Sequence, residues 1–101
     1  MIVAVVRFPL DPPFSSAEAA ATFEASAPNY QAVPGLLRKH YLLGDEGRVG
    51  GGVYLWENRD AADALYDEAW LAALESRYGH PPTIEYFESP VQVDPEHVEV
   101  G

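Results

Sequence analysis

The sequence predicts an α+β fold of the ferredoxin-like kind: a four-stranded antiparallel sheet with two helical regions on one face. Three observations predict it. Strand-like stretches rich in apolar, β-branched and aromatic residues recur along the chain, two stretches with helical spacing and helix-start signals fall between them, and the order is β-α-β-β-α-β, the split βαβ pattern. With 101 residues, 48% of them hydrophobic, the chain is expected to form one domain over residues 1–101, with a core that needs no disulfide or metal staple.

Met1 to Phe8 contains Ile2, Val3, Val5, Val6 and Phe8 in a nearly continuous apolar run, the pattern of a central strand rather than an edge. Pro9 to Phe14 holds three prolines and forms a crossover. Ser15 and Glu18 then fit the capping box S-x-x-E, in which each side chain satisfies a backbone N–H at the helix start. The helix passes through Ala19, Ala20, Ala21 and Phe23 to about Ser26, and Pro28 breaks it or restarts it as a short turn to about Gln31.

Leu36 to Leu43 and Gly52 to Glu57 read as strands, joined in a hairpin at Gly44-Asp45-Glu46-Gly47. Gly50, Gly51 and Gly52 are costly in a strand and mark a bulge or a close backbone approach. Asn58 or Asp60 caps one further helix, whose apolar positions are Ala62, Leu65, Tyr66, Ala69, Trp70, Ala73 and Leu74. It ends at Gly79, with Pro81 and Pro82 beyond. Thr83 to Val93 supplies the last strand, with a division at Pro90, and Asp94 to Gly101 is a polar tail, either mobile or crossing to a partner.

The composition excludes several classes of function. There is no cysteine, which removes disulfides, thiolate nucleophiles, zinc ribbons and iron–sulfur clusters. Sixteen acidic residues against six basic ones give a formal charge of −10, which repels a phosphate backbone, so no nucleic-acid partner is expected. No stretch approaches the roughly 18 to 20 apolar residues of a membrane helix, and the N-terminus lacks a signal-peptide pattern; the expected location is the cytoplasm, with no membrane partner. His40, His80 and His97 show no metal-ligand spacing. No dinucleotide fingerprint, Walker loop or nucleophile elbow occurs.

With both helical regions on one face, alternate strand residues must point to the other. Leu36, Arg38, His40 and Leu42 oppose Leu37, Lys39, Tyr41 and Leu43, while Gly52, Tyr54 and Trp56 oppose Val53, Leu55 and Glu57; neither set is freely polar. A sheet with two apolar faces needs a second cover, and another copy across a two-fold axis supplies one, so a homodimer is expected.

Pro34-Gly35-Leu36-Leu37-Arg38-Lys39-His40-Tyr41, Gly51-Gly52-Val53-Tyr54-Leu55-Trp56-Glu57, Ala69-Trp70 and Tyr78-Gly79-His80-Pro81-Pro82 together resemble the dimeric α/β-barrel superfamily. Within it they look most like the YdhR-like monooxygenases, relatives of the antibiotic-biosynthesis monooxygenases. The resemblance implies two sheets packed face to face as a dimeric barrel, with a pocket between sheet and helices in each subunit. It also implies a range of activities, from oxygenation of phenols or quinols by dioxygen without metal or flavin to haem degradation, isomerisation or ligand binding alone.

Cofactor-free oxygenation needs a base, a donor for the resulting oxyanion and a dry aromatic pocket. His40 is the candidate base, since its unperturbed pKa of about 6.5 lies near working pH. Arg38 and Tyr54 are candidate oxyanion donors, and Trp56, Tyr66, Trp70 and Tyr41 candidate walls for a small aromatic or hydrophobic molecule. The same residues also suit packing or a dimer seam, and the sequence leaves open which parity faces the pocket. The expected function is a cofactor-independent monooxygenase acting on a small aromatic or polyketide-like metabolite. The alternative is a non-catalytic dimeric module that binds a small hydrophobic ligand, and haem binding is a third reading.

Overall fold

A computed structural model describes residues 1–101. Strand β1 (Ile2–Pro9) is followed by helix α1 (Ser16–Ser26) and a 3-10 turn (Ala27–Tyr30), then by strands β2 (Leu36–Leu43) and β3 (Val49–Trp56). Helices α2 (Arg59–Leu65) and α3 (Glu68–Tyr78) lead to β4 (Thr83–Glu88), and β5 (Val91–Val93) and β6 (Val98–Val100) close the chain. The sheet order is β2-β3-β1-β4, every neighbour antiparallel, so β1 is interior as its nearly continuous apolar run predicts. No helix is long and apolar enough to cross a membrane.

The local signals that place α1 and the end of α3 act as the sequence predicts. Ser15 Oγ accepts from the Glu18 N–H while Glu18 accepts from the Ser15 N–H. Gly79 closes α3 with φ of +86°, a left-handed conformation that suits glycine. The core lies between the helices and the sheet face carrying Ala4, Val6, Phe8, Tyr54 and Trp56, against which Ala19, Phe23, Ala62 and Tyr66 pack.

Three expectations are corrected, and the tail carries a strand of its own. The single helix expected after Asn58 is two: Asn58 caps α2 through the Ala61 N–H, the chain leaves the helix at Tyr66, and Asp67 caps α3 through the Trp70 N–H. Strand β3 begins at Val49 rather than Gly52, because the three glycines lie inside the ladder, paired with β1 and β2. The bulge lies not there but in β2, between Leu36 and Arg38; it turns Leu36 inward opposite Trp56, out of the alternation shared by Arg38, His40 and Leu42. The tail forms β6, which pairs with β5 around a turn where Asp94 accepts from the Glu96 and His97 N–H groups.

Candidate functional site

The hairpin of β2 and β3 sets the parity of its side chains. Lys39 pairs with Tyr54 and Tyr41 with Gly52, and both β2 side chains project to the helix-covered face. The glycines make this possible by different means. A Cβ on Gly52 would lie 3.2 Å from Lys39 Cε and 3.0 Å from the Tyr54 ring, so the bare backbone leaves the path along which the lysine stem crosses β3. A Cβ on Gly50 would meet the Phe8 ring at 2.8 Å, and one on Gly51 would collide with the Val6 carbonyl, the close approach that the glycine run predicts.

A narrow cleft, with free space for about one water molecule, lies between this face and the helices. The sheet contributes Val6, Phe8, Lys39, Tyr41 and Tyr54; the end of α1 contributes Phe23 and Ser26, the 3-10 turn Tyr30, and α3 Leu74, Arg77 and Tyr78. Hydrogen bonds and stacking hold these walls. The Ser26 hydroxyl donates to the Phe23 carbonyl at 3.0 Å and is thereby left to accept from Tyr41 Oη at 2.6 Å. Tyr41 also stacks on Phe23, with centroids 4.9 Å apart. Trp70 Nε1 donates to Tyr30 Oη at 3.1 Å, tying α3 to the 3-10 turn.

Lys39, the only lysine of the chain, sits in a cage of three rings. Its Nζ lies 3.3 Å from the Tyr30 ring centroid, 3.8 Å from that of Tyr41 and 4.6 Å from that of Tyr54. Burial lowers its pKa from 10.5 to about 7. The ring faces act in the opposite sense, because their quadrupoles favour the ammonium. Burial thus brings the neutral amine within reach near neutral pH, while the rings keep the ammonium the favoured form. The tyrosines shift the other way: Tyr54 is raised far above 10 by burial and then by its tyrosine neighbours, and burial also raises Tyr41 and Tyr78. All three remain neutral phenols, the proton of Tyr41 being committed to Ser26.

The residues proposed from the sequence divide between two faces. Tyr41 and Tyr54 line the cleft. Trp56 is 0% exposed and donates from Nε1 to Tyr66 Oη at 3.1 Å, so this pair forms the floor behind Tyr54 rather than its lining. Trp70 supports the cleft through Tyr30. His40 and Arg38 pair with Val53 and Leu55 and are exposed on the opposite, outer side of the strand alternation, so His40 does not share the cleft with Tyr54. Arg38 does line a shallow groove of about 240 Å³ along the β2 edge, which shares Tyr30, Lys39 and Tyr41 with the cleft. Sequence reasoning missed Lys39, Tyr30, Ser26, Arg77 and Tyr78. The signal for Lys39 was present, since Lys39 and Tyr41 have the same parity on β2.

The fold is shared with solved structures. The monooxygenase encoded by ActVA-Orf6 of Streptomyces coelicolor, solved with nanaomycin D, superposes with a TM-score of 0.64 at 22% identity, covering 93% of this chain and 91% of that one. SnoaB from Streptomyces nogalater, a cofactor-independent oxygenase solved as a single-site variant, gives 0.63 at 22% identity, covering 93% and 96%. The NE2512 protein of Nitrosomonas europaea, of unknown function, gives 0.68 at 21%, covering 93% of each chain. No curated protein sequence matches the chain. The model of the family described as "Putative mono-oxygenase ydhR" matches residues 3–81, from β1 to just beyond α3, and the chain belongs to that family.

Proposed function

We propose that the protein is a cofactor-independent monooxygenase that oxidises a small aromatic or polyketide-like metabolite in the cleft between sheet and helices. The observation that carries this reading is the cleft itself: in a chain of the ydhR mono-oxygenase family, neutral tyrosines surround a space between sheet and helices. Such walls suit a planar molecule and dioxygen once the side chains at the mouth part, and the hydroxyl of Tyr54 supplies a donor for an oxyanion. The buried Trp56–Tyr66 pair and Trp70 hold the tyrosine rings in place. The nanaomycin D bound by one structural neighbour supports the substrate class.

Dioxygen uptake measured over a panel of quinols and phenols tests the reading. At least one should be turned over, with a fall of about tenfold or more in Tyr54→Phe, the loss of one aimed donor. Turnover unchanged in Tyr54→Phe removes the residue from the mechanism, and no uptake with any substrate sinks the oxygenase. The absence of a histidine from the cleft lining favours the second reading, a module that binds a small hydrophobic ligand without turning it over.

We also propose that the protein is a homodimer joined through the outer face of the sheet. Val3, Val5, Val53 and Leu55 are half-buried there, beside exposed Leu42 and Phe87, an apolar field that a second copy would cover. In that arrangement His40 and Arg38 belong to the seam.

A further inference from the structure

The distribution of charge singles out the surroundings of Lys39. Of the six basic side chains, Arg7, Arg48 and Arg59 are paired with Glu85, Glu46 and Asp63. The other three, Arg38, Lys39 and Arg77, have no carboxylate partner, and all three line the cleft or the groove that joins it at Lys39. No acidic residue lines either, in a chain that carries sixteen. A protein of charge −10 has thus left Lys39 and Arg77 unneutralised in one aromatic space, with Arg38 on the groove beside it. An anion is the ligand that such a space accommodates, and the flanking rings require it to be planar.

Lys39 adds a second property. The groups facing it are Tyr30 from the 3-10 turn, Tyr41 on its own strand and Tyr54 on β3, with Ser26 of α1 and Arg77 and Tyr78 of α3 in the same lining. None is a carboxylate that would hold the ammonium. We propose that Lys39 accepts the proton of an acidic phenol or hydroxyquinone in the cleft and holds the phenolate so formed, with Arg77 as a second cation beside it. In this transfer the phenolic O–H bond breaks, a new N–H bond forms on Nζ, and the bonding pair stays on the phenolate oxygen. With the amine brought within reach by burial and the ammonium held by the rings, one group can serve both as proton acceptor and as counter-ion. This inference rests on the cleft being the substrate site of the proposed oxygenase, and it supplies the base that His40, on the other face, does not.

The dye 4-nitrophenol, whose phenol and phenolate absorb at different wavelengths, reports the transfer without any turnover. Bound to the wild-type protein near neutral pH it should show the phenolate spectrum, its apparent proton affinity lowered about tenfold or more relative to free dye. In Lys39→Met that displacement should vanish. Lys39→Arg, which keeps a charge but cannot accept a proton, should bind the preformed phenolate and lose the fall in affinity on the alkaline side that titration of Lys39 gives the wild type. Dye bound as neutral phenol, dye not bound, or a phenolate spectrum retained in Lys39→Met overturns the proposal. Phenolate binding without dioxygen uptake on any quinol keeps Lys39 and dismisses the oxygenase; oxygen turnover with neutral bound dye does the reverse.

Discussion

Replacing Lys39 by methionine should make the protein more stable at neutral pH, by an amount that depends on pH in a set direction. In the unfolded chain the lysine holds its proton up to about pH 10.5, whereas burial in the native cleft lowers that point to about 7. Between these values the unfolded state binds more protons, so native stability rises with pH across the window and the full penalty is present below it. At about 1.4 kcal/mol per tenfold change in proton affinity, burial alone sets an upper bound of about 5 kcal/mol. The three ring faces return about 2 kcal/mol to the ammonium, leaving a net cost of about 3 kcal/mol. Methionine keeps most of the stem packing without the charge. Lys39→Met should therefore exceed wild type by about 3 kcal/mol at pH 7, with the gap closing towards pH 10.5. Urea denaturation followed by tryptophan fluorescence at a series of pH values measures the gap. Tyr54 and Tyr66 keep their protons in the native state above the usual tyrosine range, which lowers alkaline stability in both proteins and cancels in the difference. A gap independent of pH would refute the reasoning, since it would mean that the lysine titrates alike in both states.

Other parts of the structure yield sharper local tests. Tyr66→Phe leaves the fully buried Trp56 N–H without its acceptor and should cost about 1–3 kcal/mol in urea denaturation. Gly51→Ala drives a methyl group into the Val6 carbonyl inside the ladder and should cost about 3 kcal/mol or more, read as a lost or greatly lowered thermal transition. Val53→Glu, at the centre of the outer sheet face, should convert a dimer of twice 11.1 kDa into a monomer by light scattering; a wild type that is already monomeric refutes the dimer.

The parts of the fold legible in the sequence were those set by short-range chemistry. Ser15 with Glu18 and the Gly79 stop announce helix ends because the atoms that satisfy the backbone lie within a few residues. The interior place of β1 was legible because both its parities are apolar. The break at Tyr66 was hidden, since Leu65, Tyr66, Ala69 and Trp70 keep helical spacing across it, although Asp67 carried the cap signal. The start of β3 was hidden for the opposite reason: glycine propensity argues against a strand, and only contact with Phe8, Val6 and Lys39 shows why no side chain fits. Tyr41 and Tyr54 were found as aromatic residues of a hairpin. Lys39 was not, because its meaning depends on Tyr30, contributed by a turn that the strand pattern does not reach. The choice between Lys39 and His40 needed the register, which period-two alternation leaves undetermined.

That register is fixed from the turn end, where the Gly44 N–H donates to the Val49 carbonyl, and is released at the other end by the bulge at Leu37. The bulge works as a slack joint. Residues beyond it, Leu36 against Trp56 and Gly35 against Ala61, keep their seats whatever the phase of the strand between. A loop one residue longer between Gly44 and Val49 would slip β2 by one step and bring His40 opposite Tyr54 in place of Lys39, with the bulge absorbing the difference. The same slip would carry Tyr41 off the cleft face and bring Leu42 into its place, so the proton-accepting group and one wall of the cleft change together, while Tyr30 and Tyr54, on other elements, keep their seats.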